Sequence, residues 1–174
     1  WVALTNGVSE RIDDLLQVDH HELDPDKADT AVFYSISAIQ PGLDGAGFGN
    51  FLIKQVADCL SRDHTQLKHF VTLSPIPGFQ RWIKERLDHS GNNGEEHSRV
   101  QKALQVLLNA GALERMFSDR SWLRDRAALA RARQPLLVLA AHYLAWEKRG
   151  LGALDQVANF HLSNGASIDR LNFL

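Results

Sequence analysis

A glycine-rich run over residues 41–50 is the first feature of the sequence whose residue types could do chemistry. It follows a stretch with the alternation of a strand and leads into apolar residues at helical spacing. Glycines let a backbone approach a bulky anion, and the first N–H groups of a helix point at it. No Gly-Lys-Ser/Thr follows, and no acidic residue completes a dinucleotide fingerprint. The run therefore predicts either a phosphate-binding loop or a turn that caps a core helix.

Ser74 is a second candidate, because it follows a predicted strand at residues 69–73 and opens the sequence Ser-Pro-Ile-Pro-Gly-Phe. The ends of strands are where α/β proteins expose side chains to ligands. No Gly-x-Ser-x-Gly surrounds it, so it is not the nucleophile elbow of a hydrolase. The alternative is structural: Ser74 caps the helix entered at Phe79 or bonds its own turn.

His161 is a third candidate, in a stretch that the sequence predicts to be a hairpin. Residues 157–162 and 166–173 would be its strands, and Asn164-Gly165 its turn. Asn159 and His161 would then share one strand face, which indicates a solvated cleft. The alternative is a hydrogen-bonded structural histidine. The other seven histidines are residues 20, 21, 64, 69, 89, 97 and 142. Apart from the adjacent pair at 20 and 21, which would bind metal only weakly, they lack metal-ligand spacing. No metal site is therefore predicted.

The elements that must position these residues follow from periodicity and punctuation. The predicted order is strand 1–5, a short helix to Gln17, an exposed loop over 19–29, strand 31–39, the glycine loop and its helix, strand 69–73, helices over 79–149 and the hairpin. The last of those helices is predicted to begin at Pro135 and reach Trp146. This order predicts an α/β or α+β fold with helices packed against a mixed sheet.

Apolar spacing also predicts which side chains pack in the interior. Cys59 and the four tryptophans are predicted to be core residues. Three helical stripes are predicted: residues 48, 51, 52, 56, 59 and 60; residues 79, 82, 83 and 87; and residues 100, 103, 104, 107 and 108.

Composition excludes several classes of protein. The chain has 174 residues, 44% hydrophobic and 23% charged, which suits one globular domain with a real core. A net charge of −2 provides no field for holding nucleic acid. One cysteine excludes an internal disulfide and fits a reducing compartment, so the protein is not expected to be secreted. No apolar stretch is long enough to span a bilayer. The chain termini resemble those of an excised domain.

Part of the glycine-rich run resembles the pyrophosphate loop of the GNAT acyltransferase superfamily, in which Gln/Arg-x-x-Gly-x-Gly/Ala follows a central strand. Asp44 stands where that loop usually has Gln or Arg. The resemblance implies a backbone cradle for the pyrophosphate of coenzyme A. Its predicted residues are Asp44, Gly45, Ala46, Gly47, Phe48, Gly49 and Asn50.

Three longer segments resemble malonyl-CoA decarboxylase. They are Phe-Tyr-Ser-Ile-Ser at 33–37, Leu-Ser-Pro-Ile-Pro-Gly-Phe at 73–79 and Asn-Phe-His-Leu-Ser-Asn-Gly-Ala at 159–166. The resemblance implies that Ser74 and His161 are the catalytic pair and contact the substrate. It also implies one GNAT-like catalytic domain over 1–174, with 79–149 as a helical insertion. The implied reaction is the carboxy-lyase conversion of malonyl-CoA to acetyl-CoA and CO2, without metal or cofactor.

The same resemblance carries expectations about partners and compartment. The family's helical domain, which assembles the oligomer, would precede this chain, so a homo-oligomer is expected, and neither nucleic acid nor membrane is an expected partner. The compartment would be the cytoplasm in a bacterium, and the mitochondrion, peroxisome or cytosol in a eukaryote.

Two other functions fit the residues. An N-acyltransferase of the GNAT superfamily would use the same glycine loop, although no groove for an amine acceptor is evident. A non-catalytic interaction module could be built on the helices of residues 79–149. Its arginines could face acidic partners or the 3′-phosphate of CoA, or form a solvated helix face; they are Arg115, Arg120, Arg124, Arg126, Arg131 and Arg133.

Overall fold

The computed structural model describes residues 1–16, 24–35, 48–88, 96–118 and 121–173. The α-helices and strands within them are β1 (Val2–Thr5), α1 (Ile12–Leu16), β2 (Thr30–Phe33), α2 (Phe48–Asp63), β3 (His69–Thr72), α3 (Phe79–Asp88), α4 (Glu96–Asn109), α5 (Ala112–Ser118), α6 (Arg126–Ala145), β4 (Lys148–Arg149), β5 (Gly152–Ala153) and α7 (Gln156–Ser163). They fall into two compact units, residues 1–75 and 76–173, each of which is described by itself.

The first unit is built on a mixed three-stranded sheet with β2 at its centre. β2 pairs antiparallel with β1, where Val2 lies opposite Phe33, and parallel with β3, where Phe33 lies opposite Thr72. All four residues of β2 are buried, as expected for a strand covered on both faces. The predicted mixed sheet and its three strands are confirmed, although β2 ends at Phe33 and residues 36–39 lie outside the described part.

Helix α2 crosses over from β2 to β3 and packs on this sheet. Its sheet-facing side chains are Ile53, Val56, Ala57 and Leu60. The predicted stripe also held Phe51 and Leu52, which are 62% and 61% exposed. Cys59 is exposed as well, so the prediction of a core cysteine is wrong. The helix is rotated so that the stripe through residues 53, 56, 57 and 60 meets the strands, and Cys59 falls outside it.

The second unit has a helical core. Ile83 of α3, Leu107 of α4 and Leu139 of α6 are at most 1% exposed and belong to one apolar cluster. The predicted stripes of α3 and α4 are confirmed, except that Leu108 is 46% exposed. Helices α3 to α6 occupy most of the described part of residues 79–149, as predicted.

Helix α6 begins earlier than the sequence predicts. Asp125 is its N-cap and accepts hydrogen bonds from the backbone N–H groups of Ala127 and Ala128 at 3.0 Å. The predicted start at Pro135 is wrong, because Pro135 lies inside the helix and is buried there. A proline inside a helix lacks the N–H that would bond to residue i−4. The capping carboxylate and burial of the helix outweigh that loss, so the helix continues to Ala145 as predicted for its end.

The four tryptophans divide into two kinds. Trp82 and Trp122 are 4% and 7% exposed and pack in the helical core, as predicted. Trp1 and Trp146 are 78% and 65% exposed, so the prediction that they pack is wrong. Trp146 follows the end of α6 as its C-cap, where its ring has left the apolar stripe of the helix.

Three further expectations concern a membrane span, the loop over residues 19–29 and the domain organisation. Within the described ranges, no helix combines the length and apolarity needed to cross a bilayer. Of the predicted exposed loop over 19–29, the described part from Asp24 to Lys27 is exposed, whereas Ala28 is buried. That residues 1–174 form one GNAT-like catalytic domain with 79–149 inserted into it stays a prediction.

Candidate functional site

Ser74 lies at the carboxyl edge of the sheet in the first unit. The N–H of Leu73 donates to the carbonyl of Phe33 at 2.9 Å, which continues the parallel pairing by one residue beyond β3. Ser74 is the next residue, and it is exposed. Since β2 and β3 are parallel, both strands end at this edge, and β2 leads from it toward the glycine-rich run and α2. This is the edge at which open α/β sheets bind ligands.

The predicted pyrophosphate loop is only partly described. Asp44, Gly45, Ala46 and Gly47 lie outside the described residues. Phe48, Gly49 and Asn50 form the first turn of α2, as the predicted loop-to-helix junction requires. The first N–H groups of a helix have no partner inside the helix, so this turn can offer donors to an anion.

The turn after Ser74 leads directly into α3 in the second unit. Pro77 lies in a β-turn in which the N–H of Phe79 donates to the carbonyl of Ile76 at 3.2 Å. Proline suits this position because its φ is fixed near the value the turn needs. The carbonyl of Gly78 accepts the first helical bond from Trp82 at 3.0 Å. The strand predicted at residues 69–73 and the helix predicted to be entered at Phe79 are thus confirmed, with the strand ending at Thr72.

His161 lies on helix α7 and not in a hairpin, so the predicted strand at 157–162 is wrong. The helix begins because Asp155 caps it: Oδ1 accepts from the N–H groups of Val157 and Ala158, both at 3.0 Å. Capping of this kind satisfies donors that would otherwise have no partner. The short strands β4 and β5 pair just before it. Residues 166–173 have no regular secondary structure, so the second predicted strand is wrong too.

The Asn164-Gly165 pair ends α7 instead of turning a hairpin. Gly165 has φ 86°, the left-handed conformation that follows many helices. Its N–H donates to Leu162 at 3.2 Å, and the N–H of Ala166 donates to His161 at 3.1 Å. These two bonds form a Schellman motif. An Asn-Gly pair suits both structures, because each needs a residue that tolerates positive φ.

The side chain of His161 is half-buried on α7. Its ring lies edge-on to that of Phe160, with centroids 5.1 Å apart. Burial lowers the pKa of His161 below its usual value, because desolvation disfavours the charged imidazolium. Asn159, predicted to share a face with His161, is two positions away on a helix, where the two side chains point in different directions. The Asn159 carboxamide lies next to Gly152 instead.

Asp155 is a functional candidate that the sequence prediction missed. Its side chain is 1% exposed, and besides capping α7 it accepts a hydrogen bond from the Gly78 N–H at 3.2 Å through Oδ2. The hydroxyl of Tyr143 donates to the same oxygen at 3.5 Å, a long hydrogen bond. An aspartate immediately before an apolar stretch is a helix-start signal that could have revealed the cap. Nothing in the sequence indicates the contacts to α3 and α6.

A cleft of about 310 Å³ in the second unit is lined by Trp82, Glu85, Arg86, Glu147 and Leu154. Arg86 forms an ion pair and hydrogen bond with Glu147 there, and His142 lies 3.4 Å from the same carboxylate. Because the charge of Arg86 is balanced by Glu147, we assign no CoA contact to this cleft. Across the part of the chain that the structure describes, no three His, Cys, Asp or Glu side chains converge on a possible metal position.

Comparison with known proteins decides which family these residues belong to. The family described as malonyl-CoA decarboxylase C-terminal domain matches residues 1–174. The chain belongs to the malonyl-CoA decarboxylase family.

Curated relatives and solved structures agree with this assignment. Two curated relatives are named malonyl-CoA decarboxylase, mitochondrial, one from Anser anser anser and one from Mus musculus. Each is 36% identical in sequence over an alignment that covers 99% of the chain. Crystal structures of malonyl-CoA decarboxylase from Rhodopseudomonas palustris and Agrobacterium vitis are 40% and 43% identical over 99% of the chain, each with a TM-score of 0.82. The chain spans 36–37% of the two curated relatives and 37–40% of the two solved chains.

Membership of the malonyl-CoA decarboxylase family confirms the predicted resemblance, and the mixed α/β class is confirmed by the fold. The functions of Ser74, His161 and the glycine loop stay predictions. Ser74 belongs to the first compact unit and His161 to the second. Of the six arginines predicted for an interaction module, Arg120 lies outside the described residues. The other five are exposed, and Arg115 pairs with Asp125 at 3.5 Å; they are Arg115, Arg124, Arg126, Arg131 and Arg133.

Proposed function

We propose that this chain is the catalytic part of a carboxy-lyase that converts malonyl-CoA to acetyl-CoA and CO2. The observation that carries the proposal is the family match over all 174 residues, including both segments that hold Ser74 and His161. The relatives' names supply the substrate, and the arrangement of the first unit is compatible with it. Ser74 follows β3 at the edge of the sheet where β2 also ends, and the glycine loop comes after β2 in the sequence.

The protein must perform three functions in the proposed reaction. Breaking the bond to the carboxylate leaves an electron pair that delocalises into the thioester as an enolate, and the enolate carbon then takes one proton. The protein must hold the carboxylate out of the thioester plane, stabilise the enolate oxygen and deliver that proton. A donor aimed at the developing oxyanion contributes about 10²–10³ in rate. A positioned proton donor contributes typically about 10²–10⁴.

In this proposal His161 gives the proton to the enolate carbon, and Ser74 bonds the departing carboxylate or relays a proton. The lowered pKa of His161 keeps the imidazole mainly neutral in the free protein at pH 7. An anionic substrate next to it favours the imidazolium, because an opposite charge stabilises the charged form. The backbone of residues 44–50 would hold the pyrophosphate of CoA, in the manner of a GNAT loop.

We further propose that no metal or separate cofactor takes part, because the thioester is itself the electron sink. Coenzyme A is then part of the substrate only. A homo-oligomer assembled through a preceding helical domain is also proposed. The compartment would be the cytoplasm in a bacterium and the mitochondrion, peroxisome or cytosol in a eukaryote; the curated relatives from goose and mouse carry the word mitochondrial in their names.

The test is to incubate the full-length protein with malonyl-CoA alone and follow CO2 and acetyl-CoA together. We expect equimolar release that persists with a metal chelator, and a fall in kcat of about 10²–10⁴ for Ser74→Ala and for His161→Ala. Ser61→Ala and His69→Gln are matched controls at exposed positions of the first unit and should retain kcat. Binding of CoA without CO2 release would contradict the decarboxylase and favour an acyltransferase.

A further inference from the structure

Asp155 uses its whole carboxylate for hydrogen bonds in the interior of the second unit. Oδ1 accepts from Val157 and Ala158, the first amides of α7, and Oδ2 accepts from Gly78 and from Tyr143. The four donors fill the acceptor capacity of an ionised carboxylate. Three segments therefore meet at one side chain: the start of α3, the last turns of α6 and the helix that carries His161.

The fit at this junction is close. A Cβ at Gly78 would overlap the hydroxyl of Tyr143 and come within 3.4 Å of Oδ2 of Asp155. The Tyr143 ring is in turn held by Phe79 and Trp82, with centroid distances of 5.8 and 5.3 Å. Because each partner is fixed by packing, a change at Asp155 cannot be absorbed by a flexible side chain.

A second capping aspartate shows what Asp155 has beyond a cap. Asp125 caps α6 through Oδ1 with the same two 3.0 Å bonds. Its other oxygen faces Arg115 on the exposed surface, whereas Oδ2 of Asp155 is bonded to two other elements inside the unit. The cap alone therefore does not account for the burial of Asp155 or for the contacts of its second oxygen.

We propose that Asp155 is a positioning residue for the decarboxylation: it fixes helix α7, and with it His161, to the amino-terminal end of α3. This inference rests on the proposed function, since it takes His161 as the proton donor. A displacement of about 1 Å in a catalytic group can cost about 10²-fold in rate.

Asp155→Asn separates the cap of α7 from the bridge, which is the hydrogen bond from the Gly78 N–H to Oδ2 of Asp155. Asparagine is a good N-cap, and its single carbonyl oxygen can keep the bonds to Val157 and Ala158. Its amide group then faces the Gly78 N–H, so two donors meet and the bridge is lost. Asp125→Asn is the matched control, because it keeps the cap of α6 and loses only an exposed ion pair with Arg115. Tyr143→Phe removes the longest of the four bonds.

The measurement combines steady-state kinetics of the full-length protein with amide hydrogen exchange. For Asp155→Asn we expect kcat to fall about tenfold to 10²-fold with little change in KM. The Gly78 amide should exchange faster while Val157 and Ala158 stay protected. Tyr143→Phe should show a smaller fall in kcat, and Asp125→Asn none. An unchanged kcat in Asp155→Asn, or an equal fall in Asp125→Asn, would overturn the proposal.

Failure of the proposed function would look different. The wild-type protein would then release no CO2, and the steady-state kinetics could not compare the variants. The nitrogen-15 titration of the His161 ring would still decide whether Asp155 positions it. A shifted midpoint in Asp155→Asn together with faster Gly78 exchange supports the bridge, and an unchanged midpoint rejects it.

Discussion

At the scale of single residues, burial and hydrogen bonding differ among the three polar side chains Ser74, His161 and Asp155. Ser74 is exposed at a sheet edge, His161 is half-buried on a short helix, and Asp155 is buried with four donors. Burial costs an ionisable group most when it is charged, unless hydrogen bonds replace the lost water. Asp155 has those bonds, which is why a carboxylate can lie in this interior. His161 is instead driven toward its neutral form.

The burial of His161 makes a prediction about pH. Its folded pKa is lowered from the usual 6.5, so the unfolded chain takes up the proton first as the pH falls. His161 therefore costs no stability above about pH 6.5 and destabilises the fold as the pH falls below that value through the folded pKa. A nuclear magnetic resonance titration should give a midpoint below 6.5 for its ring in the substrate-free protein. His161→Gln should weaken the loss of stability on the acid side, and a midpoint at or above 6.5 would contradict the prediction.

Helix α7 shows at the scale of elements how its two ends determine the conformation between them. Its eight residues are stabilised by a carboxylate at the start and a left-handed glycine at the end. Isolated helices of this length are marginal in water, so the caps and the packing of Ala158 against the core decide the outcome. Without these caps, the residue pattern of 157–162 favours the strand that the sequence analysis predicted.

The C-terminal cap of α7 can be tested at Gly165. A Cβ there would meet no atom within 4 Å, so any effect of a side chain comes from backbone strain at φ 86°. Gly165→Ala should lower the free energy of unfolding by about 1–2 kcal/mol, because an L-residue is strained in this region. Gly165→Asn is the matched control and should cost less, since asparagine tolerates left-handed φ. Urea denaturation measures both, and equal losses would argue against the strain.

Apolar burial among the described residues forms one cluster in each compact unit. One surrounds β2 and the inner face of α2, and the other surrounds α3, α4 and α6. Thr30 and Asp155 are the buried polar side chains among the described residues. Both make hydrogen bonds, Thr30 as a donor to Asp29 at 2.7 Å. A buried polar group left without a partner costs about 1–3 kcal/mol, and the hydrogen bonds of Thr30 and Asp155 avoid that cost.

Two adjacent leucines of α4 test which of them belongs to the core. Leu107 is 1% exposed and Leu108 is 46% exposed, although the sequence predicts both to pack. Leu107→Ala should lower the free energy of unfolding by about 2–5 kcal/mol through lost burial and a cavity. Leu108→Ala should cost less than about 1 kcal/mol, because much of its side chain is already in water. Thermal and urea unfolding of the pair would check this, and similar losses would contradict the assigned core.

The sequence by itself was sufficient to predict the turn after Ser74 and most of the periodic structure. The Pro-x-Pro-Gly turn after Ser74, the strand at β2 and the stripe through Trp82 and Ile83 were all predictable, since each depends on neighbours along the chain. The motifs around Ser74 and His161 also sufficed to suggest the malonyl-CoA decarboxylase family, which the comparisons then confirmed. These features need no knowledge of distant contacts.

Tertiary structure decided what depends on partners far along the chain. Whether residues 156–163 form a helix or a hairpin strand, and whether Leu107 or Leu108 is buried, could not be settled by local pattern. The role of Asp155 is the clearest case, because its Gly78 partner lies 77 residues earlier. A carboxylate is stable in an interior only where donors converge on it, and only the folded chain brings such donors together.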